Sequence, residues 1–183
     1  MSDIFVEKMV AKRPSAADWA KRAGVYLAVA AVAAAAYYIE FYVATGLEPI
    51  LFAVLAGTAW GGYLLGRLLG VEYEAVYTNG DLDVDIIRGK LGRKRLFGCE
   101  IKEAEDFGKY ASGRRFPGCR ALYACDSPDS GDLWFLLAQN RADGGAKTAV
   151  ILNMGERELA AVRPYLKPAL ARQIPAFARP SAP

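Results

Sequence analysis

The stretch AGVYLAVAAVAAAAYYIEFYVATGLEPILFAVLAGTAWGGYLLGRLLG, residues 23–70, decides how the rest of the chain is read. It divides into two apolar runs, residues 23–44 and 49–69, separated by Thr45-Gly46-Leu47-Glu48. At about 1.5 Å per helical residue, each run is long enough to cross a hydrocarbon core of about 30 Å. Lipid cannot hydrogen-bond to backbone amides, so each run is expected to be a helix that satisfies its own. The short break between them predicts a tight hairpin. The competing reading is a buried helical hairpin inside a soluble protein. Against it, the first run is apolar all round, with no polar stripe at helical period. In its favour, residues 28–36 are mostly alanine, which inserts less readily than leucine.

Of 183 residues, the hairpin leaves room for one small further domain. A net charge of +3 is too mild for a dedicated nucleic-acid binder. There is no histidine, which removes the commonest general base and zinc ligand together. Three cysteines, without a paired framework, suit a reducing compartment. Mixed charges in the first 22 residues, followed at once by a second apolar run after the first, argue against a cleavable signal. Lys8, Lys12, Arg13, Lys21 and Arg22 precede the first run; Arg67, Arg88, Lys90, Arg93, Lys94 and Arg95 close or follow the second; the break holds only Glu48. The positive-inside rule then puts both termini in the cytoplasm, for a hairpin expected in the inner membrane. The expected organisation is a cytoplasmic leader (1–21), a transmembrane hairpin (22–70), a cytoplasmic domain (71–171) and a disordered tail (172–183) rich in Pro, Ala and Arg.

In the leader, Ile4, Phe5, Met9 and Val10 can form one apolar face before Pro14, and Ser15 to Asp18 resembles a helix start. Tyr37, Tyr38, Phe41 and Tyr42 stand where an aromatic belt would lie. Glu40 among them is either an intramembrane ion or proton site or a carboxylate reaching water near the outer headgroups. Ala53, Gly57, Gly61, Gly62 and Gly66 give the second run small-xxx-small rows for close helix packing, against the first helix or in a homodimer seam. Arg67 reads as a snorkelling cation.

From Val71 the pattern becomes one of strands. Asn79-Gly80 between two β-prone runs signals a hairpin, because both turn residues must take positive φ. Beyond it, Leu82, Val84 and Ile86 should face a core, and Asp81, Asp83 and Asp85 should face water. Further strand patterns cover 96–107, 119–125, 133–139 and 148–153, with Gly-, Pro-, Ser- and Asp-rich turns between them. A helix follows, with Asn153 as N-cap, Glu156 at its third position, and Leu159, Val162, Leu166 and Leu170 as its stripe. Pro164 and Pro168 should kink or shorten it.

The predicted fold class is therefore an α+β membrane protein. A two-helix transmembrane hairpin precedes an antiparallel β-barrel or sandwich of the pleckstrin-homology-like (PH-like) order, capped by a C-terminal helix. The strand-turn-strand 72–85, the basic Gly-Lys-Leu-Gly-Arg-Lys-Arg of 89–95 and the leader 2–8 resemble an uncharacterised family of small bacterial membrane proteins with a PH-like cytoplasmic domain. The resemblance implies no catalytic residue. The proline-bearing C-terminal helix and tail depart from it.

Arg88, Lys90, Arg93, Lys94 and Arg95 are the densest basic segment, placed to meet anionic lipid or an anionic partner, where each cation contributes on the order of 1 kcal/mol. The plainer reading is a solvated loop that enforces topology. Asp81, Asp83 and Asp85 lack the Gly and Glu of a calcium loop. Cys119 and Cys125 stand roughly 20 Å apart on a strand, too far to share a metal. No phosphate loop or catalytic constellation appears. The sequence thus points to a membrane-anchored binding or scaffold protein, not an enzyme, with no cofactor. Its expected partners are lipid and an unidentified protein, with homo-oligomerisation open. The alternative is an oligomeric channel or transporter subunit built from the hairpin.

Overall fold

The computed structural model describes residues 4–43, 46, 48–90 and 92–175. Ser2 and Asp3 of the leader, Ala44, Thr45, Leu47, Leu91 and the tail from 176 onward lie outside the described residues.

The elements run β1 (Phe5–Ala11), α1 (Ala16–Tyr38) with a π-helical turn (Ile39–Val43), α2 (Glu48–Leu68), β2 (Val71–Thr78), β3 (Asp81–Arg88), β4 (Gly92–Glu100), β5 (Asp106–Lys109), β6 (Arg120–Ala124), β7 (Leu133–Asn140), β8 (Ala146–Asn153), α3 (Glu156–Val162) and α4 (Pro168–Ala171). They form two compact units. One unites residues 1–12, 72–87 and 93–183; the other unites 13–71 and 88–92.

The first unit corrects the expectation of a separate leader. β1 pairs antiparallel with β2, from Phe5 opposite Thr78 to Ala11 opposite Glu72. The hairpin is therefore inserted into the connection between the first two strands of one sheet. The one apolar face expected of Ile4, Phe5, Met9 and Val10 does not form, because burial alternates along β1: Val6 is buried, whereas Phe5 and Met9 are exposed. That is the period of a strand.

One sheet has the order β1-β2-β3-β4 and the other β5-β7-β8-β6. Asn79 and Gly80 take φ of 47° and 94°, as the β2–β3 turn requires. The second sheet is mixed, since β6 runs parallel to β8 while β7 is antiparallel to both β5 and β8. Of the expected antiparallel barrel or sandwich, a closed barrel is thus not formed: the described strands make two separate ladders, one of them mixed. In place of a ladder, Asn140 at the end of β7 ties the sheets together. Its side chain accepts from Gly98 N (3.1 Å) and donates to Leu96 O (2.8 Å), imitating a strand neighbour for β4.

Tyr77, Leu82, Val84, Phe97, Phe107, Leu136, Val150 and Val162 fill the main core. The predicted N-cap is displaced by two residues. Asn153 is the last residue of β8, and its amide donates to Asp126 (2.8 Å) and Asp132 (2.9 Å). Gly155 therefore takes the cap position, donating its N–H to Glu158 Oε2 at 2.7 Å. Pro164 and Pro168 cut the expected single helix into α3, a 3-10 turn (Arg163–Tyr165) and α4, as ring clash and the missing donor dictate. Leu159, Val162 and Leu166 are buried, and Leu170 packs against the core.

In the helical unit, Ser15 and Asp18 cap α1 reciprocally (3.2 and 3.0 Å). Residues 16–42 and 48–68 are each long and apolar enough to cross a membrane, and 6% of the apolar window of each is buried. Large apolar side chains such as Leu27, Ile50, Phe52 and Trp60 are exposed. The expected small-residue rows separate. A Cβ on Gly62 would lie 2.6 Å from Val29 Cγ2, so this glycine lets the helices meet, whereas one on Gly66 would make ordinary contact, 3.5 Å from the Tyr26 hydroxyl. Gly57 and Gly61 face open space, and Ala53 is exposed. Ala53 and Gly57 thus make no close approach to α1, while Gly61 lines an open groove with Val25 and Ala28 of α1.

Candidate functional site

The basic segment expected to meet an anionic surface lies across the β3–β4 turn, and the turn divides it. Gly89 and Lys90 both take positive φ (58° and 60°). Gly89 N donates to Gly70 O at 3.0 Å, and Arg67 Nη2 donates to Gly89 O at 3.1 Å. A Cβ at Gly89 would stand 2.8 Å from Arg67 O, so glycine is needed for this close approach. The turn is thereby held at the C-terminal end of α2. Arg88 and Lys90 on it are exposed, and so is Lys94 on β4.

Arg93 and Arg95 are engaged differently. Arg93 Nε donates to Asp85 Oδ2 at 2.7 Å, and its Nη2 pairs with Glu74. Arg95 Nε donates to Asp85 Oδ1 at 2.7 Å, and its Nη1 reaches Asp83 at 2.8 Å. Alternation along each strand puts these side chains on one face of the first sheet, so rows from β2, β3 and β4 become cross-strand ion pairs. The expectation that Asp85 faces water is corrected: it is 5% exposed, covered by the two arginines. Two of the five proposed binding cations therefore neutralise carboxylates of their own sheet.

Glu74, also buried, has its carboxyl pushed above the usual carboxylate range. Burial is the main cause, Arg93 opposes it, and a hydrogen bond and like charge from Glu7 on β1 add to it. Glu40 does not reach freely into water. It is 7% exposed, and its Oε1 accepts from Gly46 N at 3.0 Å, tying the π-helical turn to the hairpin tip. Cys99 and Cys125 are buried free thiols, pushed up by burial to about 12 and about 11. Among the described residues no group of three or more His, Cys, Asp or Glu is placed to hold a metal.

Sequence reasoning did not single out Asn140 or Glu74. Asn140 offers only a lone polar residue at the end of an apolar strand; Glu74 reads as the wet position of a half-buried strand. β6 falls within the strand expected at 119–125, but nothing in that stretch marks it as a sheet edge. That strand ends its sheet, with β8 as its sole neighbour there, and carries exposed Ala121 and Tyr123. An edge strand of this kind presents unpaired backbone groups to another chain.

The described residues thus make an α+β domain of two four-stranded sheets and C-terminal helical turns, with an apolar hairpin in the connection between its first two strands. Residues 2–172 match the family model described as bacterial PH-like domain (DUF6106), and the chain belongs to that family. No curated protein and no solved structure matches it.

Proposed function

We propose that the protein is a membrane-anchored binding module, without catalytic activity, that holds a PH-like domain at the cytoplasmic face of the inner membrane. The observation that carries this reading is the insertion of the hairpin between β1 and β2, because both ends of the apolar segment return to neighbouring strands of one sheet. A domain held by both ends of a hairpin has its partners confined to two dimensions, so that modest affinity is amplified by effective concentration. Exposed Arg88 and Lys90 on the β3–β4 turn supply the contact with anionic lipid. The open edge of β6 suits an extended protein segment added as a further strand.

Crosslinking of the full chain in intact cells, followed by mild-detergent purification and mass spectrometry, tests this. A distinct protein partner is expected, and Ala121→Lys with Tyr123→Lys should abolish it, since charge blunts an edge strand. Self-crosslinks alone, unaffected by these changes, would overturn it in favour of a hairpin-driven oligomer. For the channel alternative, Glu40→Gln is the discriminating variant: with its carboxylate engaged at the hairpin tip, we expect no ion flux to be lost. The charge reversal of Arg93 and Arg95 is a poor probe of binding, because it sets new carboxylates against Glu74 and Asp85.

A further inference from the structure

A cleft of about 580 Å³ lies between α1 and α2, lined by Arg22, Tyr26, Val29, Ala59, Gly62, Tyr63, Gly66, Arg67 and Gly70. Its volume falls within the roughly 300–1,000 Å³ of small-ligand sites. Arg22 lies in the first turns of α1 and Arg67 in the last turn of α2, so both guanidinium groups occupy the same end of the hairpin. Glycines at 62, 66 and 70 leave the cleft floor without side chains.

Five arginines of the sheet domain are paired within it. Arg93, Arg95, Arg114, Arg120 and Arg141 each hold a carboxylate. Among the described residues neither Arg22 nor Arg67 has one. Arg22 Nε is buried and has no hydrogen-bond partner. A buried donor left unmade is costly, and natural proteins almost always satisfy it. Arg22 leans over Trp19 (5.4 Å to the ring centre) and Arg67 over Tyr63 (5.8 Å), which holds both planar groups in place; Arg67 gives one Nη2 donor to Gly89 O, and its other donors, with the fork of Arg22, are left for a ligand.

The polarity of the cleft changes along its length. Val29 is seven residues beyond Arg22, or about 10 Å along the helix. On α2, Ala59 is eight residues before Arg67, or about 12 Å. One end thus presents two cations and two tyrosines, and the other presents only apolar atoms. That is the polarity of an amphiphile with a negative head. Basic pockets between membrane helices at the cytoplasmic side are suited to such headgroups.

We propose that this cleft binds the phosphate headgroup of an anionic membrane phospholipid, with Arg22 and Arg67 as its charged walls and the acyl chains continuing past Val29 and Ala59. The proposal rests on the reading that the hairpin spans the membrane. It concerns a different site from the β3–β4 turn.

The test is native mass spectrometry of the full chain released from nanodiscs of phosphatidylcholine alone or mixed with phosphatidylglycerol. We expect one phosphatidylglycerol retained per chain. Arg22→Gln and Arg67→Gln should each lower retention about tenfold, the order expected for a charge-assisted hydrogen bond. Arg22→Lys should restore part of it, while Arg88→Gln with Lys90→Gln should leave it unchanged. Circular dichroism checks that each variant keeps its helices. Gly66→Leu, which fills the cleft without altering charge, should also expel the lipid. Equal retention of phosphatidylcholine would overturn the proposal, as would displacement of the lipid by millimolar inorganic phosphate, which would mark a free-phosphate site. Resistance of the chain to carbonate extraction is measured alongside. Extraction would defeat the membrane reading itself, whereas a membrane-embedded chain that retains no anionic lipid would defeat this proposal alone.

Discussion

Asn140 carries more of the architecture than its chemistry advertises. It is 2% exposed, and its one amide serves Gly98, Leu96 and Ala142 together. Asn140→Ala should therefore leave buried partners unmade and cost about 2–4 kcal/mol, measured by denaturant unfolding, with m unchanged if the two sheets stay assembled. The Glu7–Glu74 pair gives a pH prediction. Because the folded-state pKa of Glu74 is raised, the folded chain binds this proton more tightly than the unfolded one. The resulting stabilisation is present below the ordinary carboxylate value and is lost as pH rises through the raised one. Glu7→Gln removes the like charge and should lessen the fall in stability as pH rises above the ordinary carboxylate value. An unchanged fall would show that burial alone sets the shift. Neither residue was legible beforehand. An Asn ending an apolar strand and a Glu alternating with apolar neighbours both look solvated until a partner far along the chain arrives.

The elements divide by how local their signals are. Asn79-Gly80 was legible because two adjacent residues fix that turn, and the two apolar runs were legible because composition and length suffice. The burial of Asp85 was not, since alternation placed it correctly on the outer face but could not show Arg93 and Arg95 folding over it. β1 was missed for the same reason: its partner begins at Val71, and Glu7 and Lys8 break the apolar pattern. Within the hairpin, sequence spacing offered two glycine rows, and only geometry separates them. Gly62→Ala should force the helices apart at Val29 and cost about 1–3 kcal/mol, the usual range for overpacking. Val29→Ala should relieve most of that cost. Gly57→Ala, facing open space, should be neutral or slightly stabilising through helix propensity. Thermal unfolding in detergent reads all three.

For the whole molecule, a hairpin inserted between paired strands makes a prediction that a leader-plus-domain chain does not. Ala11 and Glu72 are register partners, so a short turn can replace residues 13–70. The resulting chain should be soluble and folded. Further removal of residues 1–12 should unfold or aggregate it, because β2 becomes an open edge and Val6 leaves the core. The most direct measurement is side-specific labelling in intact cells, on a cysteine-free background carrying Glu48→Cys or Ser112→Cys, with a membrane-impermeant maleimide. The account predicts labelling at position 48 in intact cells and at position 112 only after permeabilisation. Labelling of both positions, or of neither, before permeabilisation would contradict a hairpin that crosses the membrane and returns to a cytoplasmic PH-like domain.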